Sequence, residues 1–246
     1  MGIYTGEGST GHQTEKLYAG INDTARQVQK VYAGVDGKAR LAYTCGSAIS
    51  GRSIGSVVKI RVNGAGREFI IVQQGLPSED YDASCSGAWL LQRYVYDKVS
   101  YNKDFYENSN THAYMNNTFF PQLEPGMQSI VKRVKIPFRD NKGANGLDTR
   151  AFALAAVETG KSISDTDSGA ALAYFAEGNS AIATYENGTA AAWWTRSRYV
   201  NFLWGNEMYY ITKIGECSHG KGTCAVRPCI IVPFETLVDE DGYIVA

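Results

Sequence analysis

The stretch WWTRSRYVNFLWGNEMYYITKIGECSHGKGTCAVRP, residues 193–228, decides how the rest of the chain is read. It opens on Trp193, Trp194 and Arg196 and closes on Arg227-Pro228. Between them, large aromatic and small polar side chains follow one another with no clean period. A core strand would alternate apolar and polar residues, and a core helix would repeat at three and four. Trp, Tyr and Asn beside Gly and Ser is the composition of a recognition surface, because rigid rings give contact area at low entropic cost and short polar groups adapt their hydrogen bonds. An irregular, partly buried sheet with long loops would share that composition.

The flanks carry a resemblance. WWTRS at 193–197, AVRPCIIVP at 225–233 and LVDEDG at 237–242 are similar to the C-terminal signature of a phage and prophage variable-protein family. The segments at 62–91, 111–120, 130–139 and 144–154 follow the family's running order. Arg198, Ala225 and Cys229 depart from it. The resemblance implies a C-type-lectin-like fold and, for some members, diversification by a retroelement that rewrites adenines, mostly in Asn codons. Trp204, Glu207, Met208, Lys213 and Lys221 are not reachable from such codons, so they would be fixed framework or mark a relative that is not diversified. The resemblance further implies a tail-associated protein made in the bacterial cytoplasm and carried on the virion, acting outside the cell.

Composition sets the limits. The chain has 246 residues, 44% of them hydrophobic and 12% aromatic, with a formal net charge of −1. That length supports one substantial core, or one core plus an appendage. Near-neutral charge gives no electrostatic case for nucleic acid or a membrane surface. No apolar run approaches the ~20 residues of a membrane span. Five cysteines, Cys45, Cys85, Cys217, Cys224 and Cys229, form no disulfide framework by count or spacing. Cys217, His219, Cys224 and Cys229 match no zinc spacing; the scattered cysteines fit a chain folded in a reducing cytosol, and a single disulfide among the three thiols gains ground only if the protein acts outside a cell. No metal and no cofactor is expected.

Along the chain, residues 1–16 read as a polar, Gly-rich tail. Leu17-Tyr18-Ala19-Gly20-Ile21 returns 14 residues later as Val31-Tyr32-Ala33-Gly34-Val35, with Asp36-Gly37 as a tight-turn signal. Residues 17–43 therefore read as a β-hairpin repeat. By resemblance this is an attachment or oligomerisation module joining tail proteins, with a homo-oligomer such as a trimer as one outcome; a β-appendage packed on the main domain is the alternative. Residues 44–53 read as a Gly/Ser-rich linker and 54–246 as the ligand-binding domain. In that domain, strands are expected at Val57–Val62, at Phe69–Val72 after a turn at Asn63-Gly64-Ala65-Gly66, and at Ala88–Leu91. Helices are expected from Asn110 or Thr111 and from Pro125, where Met127, Ile130, Val131 and Val134 recur at three and four. Helices early and strands late predict an α+β fold, which agrees with the lectin-like fold and its small N-terminal β-repeat appendage. Asp165 and Asp167 lie in a polar loop without the full calcium pattern.

The expected contacts are Tyr199, Asn201, Phe202, Trp204, Asn206, Tyr209 and Tyr210, followed by Thr212, Ser218 and His219. Trp193, Trp194, Arg196 and Arg227 are expected as framework, the arginines tying loops down through forked donors. The partner would be a host cell-surface protein or glycan. Two alternatives share the lectin-like fold. A formylglycine-generating-like oxidase would need Cys224 and Cys229, which lack the surrounding motif. A calcium-dependent sugar lectin would need a carboxylate–Pro–Asn string, of which Glu124-Pro125-Gly126 is the nearest. No catalytic triad order, His-Glu-x-x-His or phosphate loop is present, so the chain reads as a binding protein rather than an enzyme.

Overall fold

The computed structural model describes residues 17–21, 24–28, 30–35, 38–44, 46–100, 105–139, 145–163, 169–201 and 205–246. The tail at 1–16, Asp36-Gly37, Cys45, and the Asp165–Asp167 loop lie outside these. The chain divides into two compact units, Met1–Gly46 and Ser47–Ala246. In the first, two antiparallel hairpins follow each other: Leu17–Ile21 with Thr24–Val28, and Lys30–Val35 with Lys38–Thr44. The sequence repeat is also a repeat of register. Tyr18 pairs with Gln27 and Tyr32 with Leu41; Gly20 pairs with Ala25 and Gly34 with Ala39. A shift between Val31 and Tyr32 interrupts the second hairpin alone.

The second unit is built on an inner five-stranded sheet. Its spatial order is Ala151–Phe152, Cys229–Val232, Ala88–Gln92, Ala65–Gln74, Val57–Val62. The Ala88–Gln92 strand is buried along its whole length because both faces are covered. Alternate residues feed different cores. Leu90, Ile230 and Val232 join Phe69, Met115 and Trp194 on one side. Trp89, Leu91 and Ile231 join Phe152, Leu154 and Trp193 on the other. The first hairpin of this sheet turns at Asn63 (φ 51°) and Gly64 (φ 75°), the left-handed pair a two-residue loop requires.

The segment expected as a linker, 44–53, belongs to this unit from Ser47 onward. Ser47–Ala48 pairs with Leu237–Val238, which in turn pairs with Ile244–Val245. Ile49, the sole aliphatic residue larger than alanine in that stretch, is fully buried, and its N–H donates to the Thr236 carbonyl. Counting Gly and Ser hid one apolar anchor that is enough to dock a short strap.

An outer five-stranded sheet runs Cys217–Gly220, Gly205–Ile211, Trp193–Asn201, Thr223–Ala225, Lys98–Ser100. The α+β, C-type-lectin-like expectation is corrected here. The protein is mostly β, with 40% strand against 20% helix and several small sheets. Among the described residues the α-helices are short, Asn110–Tyr114, Pro125–Ile130 and Ala173–Ala176, the first running on through a π turn at Met115–Phe119 and a 3-10 turn at Phe120–Gln122. A six-residue helix is about 9 Å long, whereas the ten-residue strand Ala65–Gln74 runs about 33 Å. The misleading signal was the spacing of Met127, Ile130, Val131 and Val134. The helix stops at Ile130, and Val134 opens the strand Val134–Arg139, so one apolar period was shared by two elements. Ser109, one residue before the expected cap, accepts from the His112 N–H; Asn110 instead donates to the Ser100 carbonyl.

Candidate functional site: the outer ribbon

The base of the outer sheet is held from both sides. Trp193 and Trp194 are adjacent in a strand, so they point to opposite faces, and both are buried because each face meets a core. Their indole nitrogens donate to the carbonyls of Ala181 (3.0 Å) and Val99 (2.9 Å). A wide bulge follows. Trp194 pairs with Tyr210 and Arg198 with Met208, so Thr195, Arg196 and Ser197 together face the single residue Tyr209.

The bulge turns these residues toward the 153–158 segment. Arg196 makes a forked pair with Glu158, Nη1 to Oε2 at 2.5 Å and Nη2 to Oε1 at 2.6 Å. It also donates to the carbonyls of Ala153 and Pro137. Glu158 accepts in addition from Tyr81 Oη at 2.8 Å and from the Ala155 N–H at 2.9 Å. Ser197 Oγ accepts from the Ala156 N–H. Burial and the Glu158 charge together push the Tyr81 phenol above its usual range, so it stays a donor. Every oxygen of the buried carboxylate is satisfied, the condition under which such a pair is tolerated. Arg227 sits 5.2 Å over the Trp193 ring, and its Nε donates to the Gln92 carbonyl at 2.8 Å. Burial lowers its pKa to about 10.

Beyond Ser197 the burial changes. Residues 193–197 are buried; Arg198 and Tyr199 are half-exposed. On one face Arg198 lies 3.5 Å over the Phe105 ring, and Tyr210 packs edge-on to Trp194 with centroids 5.7 Å apart. On the other face Tyr199 is opposite Glu207, and Tyr209 is opposite His219. The Tyr199 and His219 rings stack at 3.7 Å with 14° between their planes. Tyr209 meets both edge-on, at 5.6 Å and 5.8 Å. His219 Nδ1 lies 2.6 Å from Glu207 Oε2. Nδ1 of the imidazole can donate to that carboxylate, and Nε2 is the ring nitrogen that this contact does not use.

The expected contact residues thus separate. Tyr199 and His219 come together at the surface. Tyr209 is 6% exposed and supports them from below. Tyr210 is partly buried against the Trp194 core. Thr212 closes the next turn: its N–H donates to the Glu216 carbonyl, and its Oγ1 accepts from the Glu216 N–H. Ser218 pairs with Tyr210 across the strands. Asn201 and Asn206 are described in backbone alone, in the pairs Asn201–Gly205 and Val200–Asn206; Phe202 and Trp204 lie outside the described residues. Glu207 was read only as framework. Its place beside His219 depends on the register of two successive hairpins, which sequence spacing does not reveal.

The described cysteines make no joint site. Cys85, Cys224 and Cys229 are free thiols. Cys224 packs in one core and Cys229 in the other. Burial raises Cys224 to about 11 and Cys229 well above the usual thiol range. Among the described residues no three His, Cys, Asp or Glu side chains are grouped to hold a metal. Glu124 of the Glu-Pro-Gly string is 3.8 Å from Arg61.

One family model matches. Residues 85–234, more than half of the chain, match the domain of unknown function DUF6273, and the chain belongs to that family. No curated protein matches the chain. No solved structure matches it either. The matched span contains the bulge, the Arg196–Glu158 pair and the whole outer ribbon, and leaves out the N-terminal hairpins.

Proposed function

We propose that this DUF6273 protein is a recognition protein of a phage or prophage tail, which binds a host cell-surface protein or glycan through the outer ribbon. The observation that carries the proposal is the break at Ser197. Five consecutive residues are buried and bonded to fixed partners, and the next ones bring Tyr199, Glu207 and His219 to the surface as one cluster. A scaffold that sets a buried ion pair and two indole hydrogen bonds at the foot of a partly exposed ring cluster is suited to presenting it. Such clusters concentrate binding energy when the rings are held rigidly. The tail setting rests on the sequence signature at 193–197 and 225–233.

The test is adsorption of the labelled protein to intact cells of a bacterial panel. Tyr199→Ala with His219→Ala should abolish adsorption and leave the fold intact by circular dichroism. Tyr209→Ala should behave differently, lowering the thermal midpoint, because that ring is buried. Adsorption unchanged by the Tyr199/His219 pair would refute the assignment of the site.

A further inference from the structure

We propose that the Tyr199–His219 pair is a sugar platform: it takes a neutral pyranose ring of a cell-surface glycan by stacking, without calcium. This rests on the recognition reading above and narrows it to a ligand class.

Three features select a sugar. The first is preorganisation. Tyr199 and His219 stand on strands either side of Gly205–Ile211, and Tyr209 packs against both rings from that middle strand. Three perpendicular or parallel ring contacts fix the rotamers before any ligand arrives, so a small ligand need not offset the ordering of the platform. The second is the kind of atoms presented. The stacked rings turn one face to each other, and a flat, C–H-lined ligand would lie on the outer face of the exposed His219 ring. The rim carries the Tyr199 hydroxyl, His219 Nε2 and the Glu207 carboxylate. Their side chains are not sealed off: His219 is 40% exposed and Glu207 17%. A donor–acceptor set beside an apolar plane matches a pyranose, which has C–H groups on its faces and hydroxyls around its edge.

The third is charge. A nucleobase would also stack, but it brings phosphates, which need cations. Here the cluster holds a carboxylate, and the whole chain has a formal net charge of −1. A protein partner calls for about 800 Å² on each side with an apolar centre. Four side chains with a carboxylate among them suit a single sugar unit better. The described residues offer no grouped calcium ligands, so the hydroxyls must be met by these side chains directly.

The experiment uses the full chain on an array of bacterial-surface oligosaccharides, with titration calorimetry on hits in the presence and absence of EDTA. At least one oligosaccharide should bind, and EDTA should change nothing. Tyr199→Ala, His219→Ala and Glu207→Gln should each weaken binding about tenfold or more, roughly 1.4 kcal/mol. His219→Phe keeps a stacking ring and drops the nitrogens; it should bind more tightly than His219→Ala and less tightly than the parent. A blank array, with cell adsorption that survives periodate and is lost after protease treatment of the cells, would overturn the sugar assignment and leave the recognition reading standing. A blank array with no adsorption to any cells would sink both. Binding that requires calcium, or is indifferent to all four substitutions, would overturn the platform itself.

Discussion

Arg196 and Glu158 show what one residue contributes when its partner is buried with it. Both side chains are almost wholly inside, and the carboxylate also holds Tyr81 and the Ala155 N–H. Arg196→Met leaves that carboxylate charged and uncompensated, and urea denaturation should show a loss of about 3–5 kcal/mol. Adding Glu158→Leu should recover part of the loss, a coupling that a double-mutant cycle reads directly. His112 makes a second residue-scale prediction. Burial holds its imidazole below the usual value, against the Tyr106 ring with centroids 5.1 Å apart. A base depressed in the folded state leaves the unfolded chain binding the extra proton. Its contribution is therefore intact above about pH 6.5 and is lost as the pH falls further. The thermal midpoint should drop on acidification from about pH 7 to 5, and His112→Phe should flatten that drop.

At the scale of elements, the turns carry the local signal and the registers carry the rest. The turn expected at Asn63-Gly64-Ala65-Gly66 was legible in part: Asn63 and Gly64 make the loop, while Ala65 and Gly66 already belong to the returning strand. Gly64→Ala, at φ 75° with open space around a new Cβ, should cost about 1–2 kcal/mol from backbone strain alone, measured by chemical denaturation. The all-buried strand around Trp89 was legible as an unbroken apolar run. Helix length was not, since Met127 through Val134 keep a helical spacing across a helix and a strand. Nor was the outer sheet as an assembly. Lys98–Ser100 reaches it across more than ninety residues of chain, through Thr223–Ala225, and nothing in either sequence names the other. The candidate site was half legible for the same reason: Tyr199 and His219 stand out by type, Glu207 only by pairing.

At the scale of the molecule, the boundary falls between Gly46 and Ser47, and the strap at Ser47–Ala48 is part of the second unit. A chain beginning at Gly46 should keep its thermal midpoint within about 3 °C and keep any adsorption that the ribbon mediates; scanning calorimetry and the cell assay check the two. The bulge at Thr195–Ser197 has a consequence for how this family can vary. Strand side chains alternate, so any odd change in chain length exchanges the two sides of everything distal to it. Deleting one residue of the three would bring Tyr199 to where Arg198 stands, on the reverse side, and put Val200 in the tyrosine's place. Deleting two would preserve the phase but remove the rivet to Glu158. Indels at this spot are therefore quantised, and natural relatives should tolerate length change outward of Asn201 far more readily than here.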